Sequence, residues 1–280
     1  MEKWYNNLTN ISIKAGEQIM PKPIAAERQQ KIVDLLEINH SVKIIDLAEK
    51  FNVSKETIRR DLILLEEKGL AQKSHGGAIS SGKYELDTIS LESRIDKNLE
   101  IKLALCERAL QLLDAHAVIY LDTGSTIHCL AELLSKKSGY TIVTNSLNAT
   151  NVLVKSKNRT IITGGQLNPE TMATDGFQAT DFISKVKVDI AFLGTNGFEQ
   201  HNGPSGTDFL DIQAKQAIIK NSKLNVVISE SRKASYSALI QYASWRDIDY
   251  FITDDKLPQS YKTKLEDMTS VITVPIHATY

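Results

Sequence analysis

Two groups of residues have the types and spacing for chemistry. From Ser54 to Arg60 the chain reads Ser-Lys-Glu-Thr-Ile-Arg-Arg. On a helix, Ile58, Leu62 and Leu65 fall at i, i+4 and i+7 and take the buried stripe. Ser54, Lys55, Glu56, Thr57, Arg59 and Arg60 are then left on the exposed first turns. Hydroxyls, a lysine and two arginines in that position bond phosphates and read base edges in a DNA major groove. An ordinary helical hairpin with a solvated Arg-Arg pair has the same spacing. The second group follows apolar runs: Asp122-Thr123-Gly124-Ser125-Thr126, Asn145-Ser146, Gly164-Gly165 and Gly194-Thr195-Asn196-Gly197. A glycine flanked by hydroxyls at a helix N-terminus turns backbone N–H groups and the helix dipole toward an anion. These segments suit a phosphate and a polyol. Taken singly, each is also a plain helix cap.

The first group needs a scaffold, and the flanking residues supply one. Leu47, Ala48 and Phe51 give a short helix its apolar face. Asn52-Val53 makes a turn, Ser54 caps the next helix, and Val53 with Ile58 fits a hydrophobic staple. Gly69-Leu70, then Lys73, His75, Gly76 and Gly77, read as a winged hairpin with a basic tip. An earlier helix is expected from Ala25 to Ile38, with Ile32, Leu35 and Leu36 buried. Val42 to Ile44 reads as a strand that pairs with the wing. Ser54 to Leu62, Leu65 to Leu70 and His75-Gly76-Gly77-Ala78 resemble the winged helix-turn-helix of DeoR-family bacterial transcription regulators. That family's signature is V-S-x-x-T-I-R-R-D-L followed by a wing ending H-G-G-A. By this resemblance the DNA-binding residues are Ser54, Lys55, Glu56, Thr57, Arg59, Arg60, Lys73, His75 and Gly76.

The second group needs a sheet. Apolar runs of strand length alternate with helical stretches at Val118–Leu121, Thr141–Thr144, Thr160–Thr163, Ile190–Leu193, Val226–Ser229, Tyr250–Thr253 and Val271–Val274. Such alternation predicts an open, mostly parallel, Rossmann-like α/β sheet. Ligands of such sheets bind beyond the carboxyl ends of the strands. A helix over Leu99–Leu113, with Ile101, Leu105 and Leu112 apolar, is expected to precede it. Residues from about Arg94 to Asp254 resemble the DeoR-family effector domain, through Leu121–Thr126, Thr144–Leu147, Thr163–Gly165, Val188–Gly194 and Lys215. The resemblance implies a fold related to ribose-5-phosphate isomerase and a phosphorylated sugar or sugar alcohol as effector. Thr123 to Thr126 would hold the phosphate, and Asn145, Gly164, Gly165 and Lys215 would line the remainder. Asp122, Ser146 and Asn196 join them as effector-binding candidates. Where family members often carry a D-x-S-K-like stretch, this chain has Glu230-Ser231-Arg232-Lys233.

Composition frames these readings. The chain has 280 residues, 42% hydrophobic and 24% charged, with a formal net charge of −1. That is a soluble globular composition with room for two domains, and it excludes a basic nucleic-acid coat. DNA binding must then rest on where the basic groups point. The predicted organisation is a polar, disordered extension over 1–20, an α+β winged helix-turn-helix domain over 21–79, a linker over 80–98, and an α/β effector and oligomerisation domain over 99–280. Met20 is the expected native start, because Gly16-Glu17 can be encoded as a purine-rich ribosome-binding sequence. Cys106 and Cys129, in predicted helices without metal-ligand neighbours, read as buried free thiols. The histidines show no zinc spacing, and His128 reads as packing. No metal and no cofactor are expected. With no apolar run of membrane-span length and no signal-peptide pattern, the expected location is the cytoplasm.

Three functions compete. The first is a regulator, by family default a repressor of a sugar-catabolic operon, binding double-stranded operator DNA as a homodimer or homotetramer. The second is a phosphosugar isomerase fused to a DNA-binding domain. The related isomerase has an acidic D-G-A-D-E-like loop where this chain reads Thr195-Asn196-Gly197-Phe198-Glu199, so a carboxylate base is missing. The third is a DNA-bending protein, which has no need of a glycine-lined second domain.

Overall fold

A computed structural model describes residues 24–39, 41–68, 70–74, 76–79, 91–169 and 171–276. The proposed 1–20 extension, the Met20 start, most of the 80–98 linker, Gly69 and His75 lie outside the described residues. So does the side chain of Lys73. The chain divides at Ser81/Gly82 into two compact units.

The first unit comprises α1 (Ala25–Asn39), β1 (Ser41–Lys43), α2 (Ile44–Lys50), α3 (Lys55–Glu67), β2 (Gln72–Ser74) and β3 (Gly77–Ile79). The strands form an antiparallel sheet in the order β1-β3-β2, so the short strand pairs with the wing as predicted. Ile32, Leu36, Leu47, Phe51, Ile58, Leu62 and Leu65 close one small core. Ser54 caps α3: its Oγ accepts the Thr57 backbone N–H at 3.1 Å. Asn52 takes φ 49° in the turn, a backbone region asparagine tolerates. Asp61, which in sequence merely offsets nearby basic charge, is buried and accepts Arg28 Nε at 2.6 Å and Arg28 Nη2 at 3.2 Å. Gln29 Nε2 adds a third donor at 3.0 Å. This planar, two-pronged pair ties α1 to the back of α3 and sets the direction in which α3 presents its other face.

The second unit opens with α4 (Leu91–Asp96), α5 (Leu99–Leu110), β4 (Val118–Leu121), α6 (Ser125–Ser135), β5 (Ser138–Thr144), α7 (Leu147–Leu153) and β6 (Lys157–Ile162). It continues with β7 (Gln166–Asn168), β8 (Ala173–Asp175), α8 (Phe177–Lys185), β9 (Val188–Leu193), β10 (Ser205–Gly206), α9 (Phe209–Ile219) and β11 (Ser222–Ile228). It closes with β12 (Ile240–Gln241), β13 (Tyr250–Asp254), α10 (Gln259–Glu266) and β14 (Ser270–Val274). All seven predicted strands enter one parallel sheet, ordered β14-β13-β11-β9-β4-β5-β6. Alternate residues of each strand feed opposite faces. Ile119, Leu121, Ile190 and Phe192 pack on α5, α6 and α7, while Tyr120, Ala191, Leu193 and Val227 pack on α8 and α9. The predicted helix over Leu99–Leu113 ends three residues early. Gln111, Leu112 and Leu113 bond the carbonyls of Arg108, Ala109 and Leu110, so the chain tightens to i−3 bonding there. Cys106 and Cys129 are buried and free, and burial raises both thiols above the ordinary range.

The strand order dictates where a ligand fits. From β4 the chain moves outward to β5 and β6, then returns to β9 on the other side and proceeds to β11, β13 and β14. The reversal falls between β4 and β9. A crevice opens at such a point, beyond the carboxyl ends of those two strands.

Candidate functional site

The first site is the exposed face of α3. Ser54, Lys55, Glu56, Arg59 and Arg60 are exposed and Thr57 is half-buried. The Ser54 and Thr57 hydroxyls bond each other at 2.9 Å. Glu56 holds Arg59 at 3.3 Å and lies 4.0 Å from Arg60. Such solvent-facing pairs are worth at most about 1 kcal/mol and open readily for a phosphate or a base. Gly76 of the wing is exposed with φ 85°, which favours glycine over any side chain.

The second site is a cleft at the β4/β9 reversal, with about 90 Å³ of interior space. Asp122, Thr123, Gly124, Ser125, Thr126, Asn196 and Lys215, all expected from the sequence, line it together. Gly124 precedes α6 with φ 107°, and no side chain caps that helix. The first backbone N–H groups of α6 therefore have no side-chain acceptor at an end that carries positive partial charge. Arg94, Arg232 and Lys233 also line the cleft.

Lys215 is buried in the floor of this cleft. Its Nζ donates to Asp122 Oδ1 at 2.7 Å and to Asp211 Oδ1 at 2.8 Å. The other Asp122 oxygen accepts the Gly194 backbone N–H at 2.8 Å, so the ends of β4 and β9 are tied through one carboxylate. Burial opposes the charge of Lys215, but Asp122 and Asp211 outweigh it and hold the ammonium above the ordinary lysine range. Burial pushes the Asp211 carboxyl up to about 6, with Lys215 pulling it down and Asp122 adding repulsion.

A pH dependence follows. In the unfolded chain Asp211 reverts to its ordinary value near 3.8. The folded form then binds the extra proton between about pH 4 and pH 6. This contribution to stability is whole below that window and is lost as pH rises through it. Thermal melting of the full chain from pH 4 to pH 7 should show the loss, and Asp211→Asn should flatten it. An identical slope in the variant would contradict the assignment.

Four sequence candidates do not line the cleft. Asn145 is fully buried and accepts the Tyr120 hydroxyl at 3.1 Å. Ser146 caps α7. Gly164 and Gly165 have φ 70° and 121°, and a Cβ on Gly165 would lie 2.4 Å from the Asp175 carbonyl. The reason is lateral order: β5 and β6 lie on the far side of β4 from the reversal. Their place is taken by Ser229, Glu230, Arg232 and Lys233 after β11, and by Arg94, Thr171, Thr207, Asp208 and Asp211. Of these, Asp211 stands one helical turn from Lys215, and Glu230, Arg232 and Lys233 fall in the stretch where the family resemblance marks a D-x-S-K-like motif. Of the isomerase-like loop, Phe198 packs edge-on against Trp245 at 5.3 Å, and Glu199 does not line the cleft.

A winged helix-turn-helix in one chain with a parallel-sheet unit that carries an anion-suited cleft is the make-up of a DNA-binding transcription regulator. Comparison with known proteins specifies which kind. Residues 28–83 match the DeoR-like helix-turn-helix domain and residues 97–255 the DeoR C terminal sensor domain. The chain belongs to the DeoR family. It is 30% identical over 243 residues to the HTH-type transcriptional regulator GlpR of Haloferax volcanii, covering 87% of this chain and 95% of that one. It is 30% identical over 242 residues to the glycerol-3-phosphate regulon repressor of Escherichia coli, covering 86% and 95%. Among solved structures, the chain matches ribose 5-phosphate isomerase A from Methanocaldococcus jannaschii at 19% identity and TM-score 0.36, over 49% of this chain and 54% of that one. The protein is a DNA-binding regulator rather than an enzyme. Among the described residues no helix is long and apolar enough to cross a membrane.

Proposed function

We propose that this protein represses a sugar-catabolic operon from the cytoplasm, and that a phosphorylated sugar or sugar alcohol in the cleft releases it from its operator. The observation that carries this reading is the uncapped α6 N-terminus behind Gly124, flanked by the Ser125 and Thr126 hydroxyls. It offers a phosphate backbone donors, hydroxyls and a helix dipole at one point. The Escherichia coli relative is itself named a regulon repressor. The protein acts as a homodimer or homotetramer, because one recognition helix reads too few base pairs for genomic specificity. Release requires the effector to bind the low-affinity conformation better than the DNA-bound one.

The test starts with a melting-temperature panel of phosphorylated sugars and polyols beside their unphosphorylated parents. A hit is then titrated into the protein–operator complex. Ser125→Ala with Thr126→Ala should leave operator affinity unchanged and raise the half-release concentration at least about tenfold, the effect of losing one or two charge-assisted hydrogen bonds. An unchanged release curve would refute the phosphate assignment.

A further inference from the structure

The cleft wall beyond β11 carries an arginine where the D-x-S-K-like pattern has a small hydroxyl residue: Arg232 of Glu230-Ser231-Arg232-Lys233. This stretch is fixed from both sides. The Ser231 backbone N–H and hydroxyl donate to the two oxygens of Asp254, at the end of β13, at 2.7 and 2.6 Å. Glu230 is buried, and one of its oxygens accepts both Asn98 Nδ2 at 2.5 Å and Arg232 Nε at 3.0 Å. The Arg232 and Lys233 charges lie 6.0 and 5.3 Å from the ring centre of Tyr236, within cation–π range. A carboxylate at Nε and a ring beneath it fix the plane of the Arg232 guanidinium. A guanidinium held in a plane suits a carboxylate or phosphate, which it can bond with two parallel N–H groups.

Arg94 belongs to the same cluster. Lys102 of α5 is buried, and its Nζ donates to the carbonyls of Arg94 and Lys97, which fixes the backbone that carries Arg94. Burial lowers the Lys102 pKa, Glu230 opposes this, and Arg232 and Arg94 reinforce it, so these charged groups surround one point. Among the lining residues, Arg94, Arg232 and Lys233 thus stand against the carboxylate of Glu230. The cleft floor has the reverse balance, with Lys215 between Asp122 and Asp211, and Asp208 capping α9.

The sheet sets the distance from this wall to the phosphate end. β9 lies between β4 and β11. The strand ends that lead to the α6 N-terminus and to Arg232 are therefore two strand spacings apart, roughly 10 Å. A single phosphate is too small to span that interval, whereas a hexose skeleton with an anionic group at each end matches it.

We propose that Arg232, with Lys233 and Arg94, forms a second anion subsite, so that the effector is a doubly anionic sugar or polyol. Its phosphate lies on the α6 N-terminus and its carboxylate or second phosphate on Arg232. This rests on the assignment of the first phosphate to the α6 N-terminus.

The experiment is calorimetric titration of the full chain with inorganic phosphate and two matched pairs of compounds. Fructose 6-phosphate is paired with fructose 1,6-bisphosphate, and glucitol 6-phosphate with 6-phosphogluconate, so the pairs separate a second phosphate from a carboxylate. In at least one pair the doubly anionic member should bind at least about tenfold tighter. Glu230→Gln combined with Arg232→Ser removes one charge of each sign and strands neither. Its ligand-free melting temperature should stay within about 3 °C of wild type. It should bring the preferred pair to within about twofold of each other and change inorganic phosphate less than about twofold. Ser125→Ala with Thr126→Ala should instead weaken both members of that pair alike. Wild-type protein that binds inorganic phosphate but prefers neither doubly anionic compound would overturn this inference alone. So would a Glu230→Gln, Arg232→Ser protein that loses affinity equally for both members, since Arg232 would then serve the first phosphate. Absence of wild-type binding to every probe would overturn the phosphate reading as well.

Discussion

Replacing Lys215 by methionine is expected to destabilise the carboxy-terminal unit by roughly 3–5 kcal/mol, the usual cost of breaking a buried ion network from one side. The side chain of Lys215 is 5% exposed, and those of its partners Asp122 and Asp211 are 1% and 12% exposed. Methionine fills much of the same volume, so the loss comes from two stranded carboxylates rather than from a cavity. For a unit of this size the melting temperature should fall by on the order of 10 °C. Trp245, buried among Phe198 and Phe251 in the same unit, gives the fluorescence signal. A second variant separates the causes. Lys215→Met combined with Asp122→Asn and Asp211→Asn removes the stranded charges and should recover part of the loss. A single variant that melts with the wild type would mean that the triad is not a structural element of the cleft floor. The cleft depends on it directly, since Asp122 also anchors the Gly194 backbone.

The division between what the sequence makes legible and what it hides has a physical basis. Strands buried on both faces of a parallel sheet are near-continuous apolar runs, and the central strands β4, β9 and β13 can be located from that alone. The recognition helix is legible because its cap, staple and stripe are local, each set within about two turns of chain. Lateral strand order is not local. Nothing near Asn145 or Gly164 records that β5 and β6 fold away from the β4/β9 reversal, so in sequence the four polar strand ends read as one site. The Arg28–Asp61 pair spans 33 residues, and in sequence it looks like two surface charges. The β7–β8 hairpin and the antiparallel β10–β12 pair have strands of two or three residues, too short for any period to register. Thr171, on the first of these, is hidden for that reason.

Arg59→Ala combined with Arg60→Ala should weaken operator binding by roughly a hundredfold or more, because each arginine contact to a base or phosphate is worth about 1–3 kcal/mol. Both side chains are more than half exposed, and both pair with the equally exposed Glu56. Their removal therefore costs the fold little, and melting should stay within about 0.5 kcal/mol of wild type. DNA selected from a random pool by the wild-type protein provides the operator. The single variants then assign roles. An arginine on phosphate lowers affinity evenly across sequences and reduces the slope of log K against log salt by about one. An arginine on a guanine edge relaxes the preference at one base pair and leaves that slope largely in place. Effector-induced melting shifts should match wild type in both, since the cleft belongs to the other unit. Operator binding that survives the double substitution would place recognition elsewhere than on this face of α3. It would leave Ser54 and Thr57, whose hydroxyls satisfy each other at 2.9 Å, as helix-capping residues only.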